Sequence, residues 1–543
     1  MKSVSTLDAA TLQAEFAAKG YVPLQSHKSL QDELADLREL LQSALALEHA
    51  TIPPYLTMLY TLPSQTQWQV VEIIRSVVVE EMLHFSLVAN VLNAIGGEPQ
   101  IASPGFMPDY PAALPYGIDG IRVSLFGFSH EGVEQGMAIE RPAAIDPLKV
   151  ASFRRNEMTI GEFYAFIEAR LRAAVARYGE QAVFCGDPSR QIPPHAFYYD
   201  GGGGILEVHN LKQALQALQL IVDQGEGTPD SEWTGPLSEE EGGFREVAHY
   251  YRFQQLQLGR LYQPGDKINH PSGSKLEVPW QGAIQVPVDM KLADYPEGEV
   301  RQAVYRFNQR YCQLLAQLQL AFTGQPGLLL PAVVGMCSLR DDFNAITANP
   351  LPGFDEYHCV PTFEYVAPDL TLIKRVAVAG NEPRRGCPMG KAQAMQASPS
   401  GQPGVATTLA QLQQAYSQGD LPLALSCLAE SVIWDISGPV EVPYLGVFYG
   451  HQGFSRFWTL LGDTVNFGSA GIEAVFIDGL AAMAYGGEQG STKATGAPYH
   501  YDWAIRYQFD ANFKITLMRQ YFDPDPIRAA LRASAYPQPQ PKK

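Results

Sequence analysis

Four glutamates stand in helical stripes where hydrocarbon belongs, and that placement limits what this 543-residue chain can fold into. Across residues 30–62, Leu34, Leu37, Leu41, Leu45, Ile52, Leu56 and Leu59 recur at helical spacing, and Glu48 falls in the same stripe. Residues 67–95 repeat the pattern through Val70, Ile74, Val77, Glu81, His84, Val88, Val91 and Ile95, closed by Gly96 and Gly97. A third helix is expected over 159–178, with Glu162, Phe166, Ala169, Ala173 and Ala176 on one face. After a further helix over 206–224, a last one is expected over 239–262, where Glu246, His249, Phe253, Leu256 and Arg260 align. Of the eleven histidines, only His84 and His249 follow a glutamate by three residues. Each such pair is preceded by a stripe glutamate on another helix, which implies an approximate internal two-fold.

An isolated carboxylate in an apolar stripe costs several kcal/mol of desolvation unless a cation compensates it. Two divalent metals would neutralise four carboxylates, and two imidazoles complete a mixed nitrogen and oxygen shell. Glu and His at i and i+3 share one helix face, so one helix can deliver both to one metal. Glu48, Glu81, His84, Glu162, Glu246 and His249 are therefore the expected ligands of a dinuclear site inside a four-helix bundle. Such a donor set suits two iron ions, with manganese or a mixed pair as the alternative, rather than the thiolate-rich sites that select zinc. Glu80 and His49 fall off the stripes and are expected at the solvent, and His209 reads as an ordinary surface or core histidine. Glu157 is a fallback for Glu162, although a carboxylate at a helix start is explained by the helix dipole alone.

The chain is acidic, with 57 Asp and Glu against 39 Lys and Arg, so a phosphate backbone or an anionic membrane would be repelled. Neither nucleic acid nor a membrane is an expected partner. The first sixteen residues lack an apolar run behind Lys2, and the apolar stretch at 328–339 is too short to span a bilayer and is broken by Pro331. Six cysteines (185, 312, 337, 359, 387 and 427) lie scattered without any Cys-x-x-Cys, as in free thiols of a reducing compartment. A cytoplasmic protein is expected. Cys359 follows His358, but adjacent residues seldom face each other, so packing is the favoured reading over a nucleophile and its base.

Two prolines at 53–54 should kink the first helix. Residues 97–157 are rich in Pro and Gly, with one strand-like run at 121–126, and read as an irregular insertion. The expected layout is an N-terminal arm (1–29), the bundle (30–265), a helical and extended segment packed on it (266–379), a flexible linker (380–404), a compact α+β cone (405–535) and a tail (536–543). The cone should hold helices at 409–418, 421–428 and 452–462 beside a curved antiparallel sheet. The fold class is thus multidomain, an all-α four-helix bundle with irregular insertions followed by an α+β cone.

The phrases Leu47-Glu-His-Ala-Thr-Ile-Pro-Pro-Tyr55, Glu80-Glu-Met-Leu-His84, Thr159-Ile-Gly-Glu-Phe-Tyr164, Gln224-Gly-Glu-Gly227, His249-Tyr-Tyr-Arg-Phe253, Met336-Cys-Ser-Leu-Arg340, Pro350-Leu-Pro-Gly353 and Pro361-Thr-Phe-Glu-Tyr365 lie along the first two thirds of the chain. Together they resemble the ferritin-like domain of iminophenylpyruvate dimer synthases from violacein-type pigment pathways. The resemblance implies a ferritin-like bundle and oxidative coupling of imines derived from amino acids. Residues 405–535 resemble the SnoaL-like (NTF2-like) superfamily through Ser431-Val-Ile-Trp-Asp435, Tyr449-Gly-His-Gln-Gly453 and Tyr521-Phe-Asp523. There Asp435, His500 and Asp502 are candidate general bases, with ligand binding or dimerisation as the simpler role. The leading expectation is an O₂-dependent dinuclear iron oxidoreductase acting on a small amino-acid-derived or secondary-metabolite substrate, in a homo-oligomer such as a dimer. A ferroxidase or iron store, or a dimanganese peroxide-dismutating enzyme, would use the same ligands.

Overall fold

The computed structural model describes residues 29–63, 66–142, 158–194, 204–225, 247–263, 266–368, 404–436, 438, 441–478, 480–522 and 524–533. The chain divides into two compact units, Met1–Glu382 and Pro383–Lys543. Most of the expected arm, linker and tail lies outside the described residues.

In the first unit the stripes of the sequence become α1 (Leu30–Thr61), α2 (Trp68–Ala94), α4 (Ile160–Tyr178) and α5 (Leu211–Gln224), with α3 (His130–Ile139) between the pairs. Helix α1 packs on α2 and α4, and α5 packs on the same two, closing a ring of four. Helix α6 (His249–Leu258) stands apart from this ring, against α2 and α3. Two further helices, α7 (Glu299–Phe322) and α8 (Leu329–Thr347), pack on each other, α7 also touching α2 and α8 touching α1. Helix α2 is long and apolar enough to cross a membrane, but 94% of its apolar window is buried in this unit, so its hydrocarbon is committed to the core.

Local chemistry sets the helix limits. Ser29 and Asp32 form a capping box at the start of α1, and Thr159 and Glu162 form another at the start of α4. Helix α2 ends at Ile95, whose carbonyl accepts from Arg38 Nε and Nη2 at 3.0 and 2.7 Å, while Gly96 takes a φ of 71° that a side chain would strain. Arg170 ties α4 to α1 through Glu33 at 2.7 Å.

Pro53 and Pro54 lie inside α1, which is helical throughout Leu30–Thr61. Pro54 has no N–H for the carbonyl of Ala50, and Tyr110 Oη donates to that carbonyl instead at 2.9 Å. Tyr110→Phe should therefore leave a buried acceptor unmet and cost about 1–3 kcal/mol, read as a lower denaturant midpoint with an unchanged slope.

The insertion departs from expectation. Its only strand pairing among the described residues is a short ribbon, Ala112–Ala113 with Arg122–Val123, and it contains α3 where an irregular segment is expected. Helix α6 begins at His249, because Ala248 is extended (φ −56°, ψ 160°) and caps it. The expected start near 239 lies outside the described residues.

The second unit builds a six-stranded sheet from β1 (Leu428–Ile436), β2 (Gly446–Tyr449), β3 (Val465–Asp478), β4 (Ala481–Thr492), β5 (Pro498–Phe509) and β6 (Ile515–Phe522), in the order β2-β1-β6-β5-β4-β3. The β1–β6 pair is parallel, which corrects the all-antiparallel expectation. Helices α9 (Val405–Gln418), α10 (Leu421–Cys427), α11 (Gly450–Thr464) and α12 (Asp525–Arg532) accompany it, α11 lying on β1 and β2. Its core centres on Trp434, Tyr444, Phe454, Phe457, Tyr507 and Met518.

A candidate dinuclear metal centre

Two groups of buried ligand atoms share one carboxylate. Glu48, Glu81 and His84 form the first and Glu81, Glu140 and His249 the second, with the atoms of each group within 4.8 Å of one another. Helix α1 supplies Glu48, α2 supplies Glu81 and His84 one turn apart, Glu140 is the residue that ends α3, and His249 opens α6. His84 Nδ1 lies 3.4 Å from Glu48 and 3.9 Å from Glu81. His249 Nδ1 lies 2.9 Å from Glu81 and 3.7 Å from Glu140. The two imidazoles stack with ring centroids 5.5 Å apart.

Every inward group is braced from outside. Tyr164 Oη donates to Glu48 Oε1, Thr51 Oγ1 to Glu81 Oε2 at 3.0 Å, and Tyr55 Oη to Glu140 Oε1 at 2.7 Å. In each carboxylate the second oxygen turns toward the histidines. The imidazoles are held the same way, through Nε2, to Gln224 Oε1 at 3.1 Å for His84 and to Glu80 Oε2 at 2.9 Å for His249. Glu80 is itself paired with Arg252 Nη2 at 2.9 Å. Such bracing fixes the tautomer and the orientation that a metal requires.

The electrostatics fit cations. Glu81 is pushed up to about 7 by burial and by the neighbouring Glu140 carboxylate, against the pull of His249 and His84. Burial opposes charge on both histidines, yet Glu48 and Glu81 raise His84, and Glu140, Glu80 and Glu81 raise His249 well above its ordinary value. Burial alone would raise Glu80 too, but Arg252 and His249 outweigh it and hold this carboxyl down at about 2. His249 Nδ1 is buried without hydrogen-bond geometry to any partner, although a carboxylate oxygen lies 2.9 Å away. That is the disposition of a donor aimed at a shared third atom.

Of the residues singled out from sequence, the structure brings together Glu48, Glu81, His84 and His249. Glu162 is buried and closes the α4 capping box, its Oε2 accepting from the backbone N of Thr159 at 3.0 Å, and it belongs to neither ligand group. Glu246 and Glu157 lie outside the described residues. Residues 247 and 248, which lead into His249, are not helical. Glu140 was missed, although Ser129, whose side chain accepts from Gly132 N, and Val133, Met137 and Glu140 at helical spacing mark α3. Glu80 and His49 are corrections. Both are 1% exposed, because Arg252 compensates the first and Tyr311 of α7 covers the second. His209 is exposed beside Glu207. Cys185, Cys312, Cys359 and Cys427 are free thiols, and Cys359 contacts the Pro350 carbonyl while His358 Nδ1 meets the Thr347 carbonyl, so this pair is not a base with its nucleophile.

In the second unit Asp435 is buried in an ion pair with Arg519 Nε at 2.7 Å. His500 and Asp502 project from the exposed side of β5, while Tyr499, Tyr501 and Trp503 alternate inward. A second acid here is the half-buried Glu488, which accepts from Tyr499 Oη at 2.7 Å and is raised above its ordinary 4.5 by burial. A raised carboxyl favours the protonated fold, so its contribution is full below the unfolded value and is lost as pH rises through the folded one. Glu488→Gln should remove that decline, and calorimetry of the full chain at pH 5 and pH 8 should find the variant gaining on the parent at the higher pH. Equal pH dependence in the two would refute the assignment.

Residues 41–258 match the ferritin-like family model. A ferritin-like protein from Caulobacter vibrioides is similar at 23% identity over 59% of this chain and 96% of its own, with a TM-score of 0.40. Two NTF2-like proteins are similar over 24% of this chain. One, from Burkholderia xenovorans, is 21% identical, with 95% of its length covered and a TM-score of 0.22, and the other, from Burkholderia thailandensis, is 18% identical, with 100% covered and a TM-score of 0.23. No curated protein matches the chain. The buried Glu and His groups lie within residues 41–258, the segment that matches the ferritin-like family model.

Proposed function

We propose that the first unit is a dinuclear iron oxidoreductase that uses O₂ on a small, amino-acid-derived organic substrate. The observation that carries this reading is the shared Glu81 carboxylate, which joins two Glu and His groups into one buried cluster. Glu48 and His84 would hold one ion, Glu140 and His249 the other, and Glu81 would bridge them. Imidazole with carboxylate favours iron or manganese. When bound, the pair of ions supplies the electrons that reduce O₂.

The protein's own part is to place and shield. Tyr164, Thr51 and Tyr55 each hold one oxygen of a ligand carboxylate, leaving the other free to face the cluster. Leu47, Ile160, Ile221 and Val222 wall a pocket that reaches Glu48, Glu81, His84 and Glu140. That apolar wall beside the cluster favours an organic substrate over iron storage, and the iminophenylpyruvate dimer synthase phrases favour an imine from amino-acid oxidation.

The test is to load metal-free protein with Fe(II) under nitrogen, admit O₂, and follow oxygen uptake with and without imines generated from aromatic amino acids. Substrate-dependent uptake with about two irons per chain is the expected result. Accumulation of many irons per chain, or peroxide dismutation by the manganese form alone, would overturn it.

A further inference from the structure

A second pocket lies within the same unit, bounded by α1, α2, α7 and α8, and takes His49 where the metal cluster takes Glu48. Counted together with the open solvent at its mouth, its empty space comes to about 630 Å³. Its wall is hydrocarbon and aromatic, with Phe85, Leu315, Phe322, Val333 and Met336 prominent, and among its lining residues none is charged apart from the titratable His49. Ser86 spends its hydroxyl on the Met82 carbonyl at 3.0 Å. Among the described residues, what remains polar is one pair, His49 Nε2 and Tyr311 Oη, 2.9 Å apart.

His49 is 1% exposed, and its Nδ1 is buried without a partner. The pair cannot satisfy itself, because a neutral imidazole and a phenol hold two protons and form one bond between them. If Tyr311 donates to Nε2, the Nδ1–H is an unspent donor, and if Nε2–H donates, the Nδ1 lone pair and the phenol proton are unspent. A buried polar group left in this state costs about 1–3 kcal/mol that a matching ligand atom recovers. Phe106 at 4.9 Å and Phe85 at 6.3 Å flank the imidazole, and Phe85 lines the pocket beside it.

We infer that this pocket is a binding site for a neutral aromatic molecule carrying one oxygen function, a ketone or hydroxyl, whose oxygen meets His49. Charge selects against acids, since none of the described lining residues is a cation that would compensate a carboxylate. The site is separate from the ligand cluster and does not depend on the metal reading, so it operates in metal-free protein.

The test uses the metal-free full chain and three probes of similar size, namely acetophenone, ethylbenzene and benzoate, followed by ligand-observed NMR. Acetophenone is expected to bind roughly tenfold tighter than ethylbenzene, the equivalent of about one hydrogen bond, and benzoate not to bind. His49→Leu should erase the preference of acetophenone over ethylbenzene. Val333→Trp, which fills the pocket from α8, should abolish both while Fe(II) uptake stays at the parent level. Equal affinity of the parent for acetophenone and ethylbenzene, undiminished acetophenone binding in Val333→Trp, or no binding of any probe would overturn the inference, the last by showing a cavity that holds only water. Failure of O₂ uptake in the metal-loaded enzyme would touch the oxidoreductase reading and leave this one standing.

Discussion

Glu81→Gln is expected to strip the protein of both metals at once while leaving the metal-free fold at least as stable as the parent. Glu81 is the one residue common to both ligand groups, so a single neutral amide there removes a donor from each. Its carboxylate is also the strained member of the metal-free cluster, raised to about 7 by burial and Glu140, so loss of its charge relieves repulsion. Bound metal stabilises by mass action, about 2.7 kcal/mol when the free ion stands at a hundred times its Kd. The parent should therefore show a metal-dependent rise in melting temperature that the variant lacks, with elemental analysis falling from two ions to none. Full occupancy in Glu81→Gln would dismiss the bridge. Thr51→Val, which frees the Glu81 oxygen held at 3.0 Å, should weaken metal binding by about 10–100-fold without abolishing it.

The second large effect separates two carboxylates that compete for one role. Glu140→Gln should lower the metal content to one ion per chain, because the group formed with Glu81 and His249 loses a donor while Glu48 and His84 keep theirs. Glu162→Ala should keep both ions and cost about 1 kcal/mol of stability, the ordinary worth of a helix cap. Glu162→Gln should do neither, since glutamine serves at that position of a capping box. The measurement is metal stoichiometry beside a denaturation curve for each variant. Full metal in Glu140→Gln together with loss in Glu162→Ala would return the ligand to the place that helical periodicity suggested.

The sequence carried the helices of the bundle well. Residues 30–62, 67–95 and 159–178 fold within one or two residues of their apolar stripes, because burying one face of a helix needs only a period that local sequence can display. Glu48, Glu81 and His84 were legible for the same reason, as polar groups on faces that had to be buried. What periodicity could not show was depth outside the stripes. Glu80 and His49 read as solvated until Arg252 from α6 and Tyr311 from α7 came to lie against them, and both partners stand more than 160 residues away in sequence.

Glu140 was hidden by a short helix inside a stretch punctuated by Pro and Gly, and its place beside Glu81 depends on where α3 ends in space. Glu162 matched a stripe and a capping box equally, and one residue cannot announce which use it serves. In the second unit, alternation along β5 separates Tyr499 and Tyr501 from His500 and Asp502, yet which set faces inward depends on the sheet's curl and the helices covering it.

By itself, then, the amino-acid order settled that a bundle forms and that several of its buried positions demand a compensating charge, since spacing and desolvation act along the chain. Only the assembled tertiary structure brought Glu140 beside Glu81, seated His249 at the head of α6 and set a hydrogen-bond partner behind each of these side chains. Coordination and hydrogen bonding depend on distances across helices, and no local pattern encodes those.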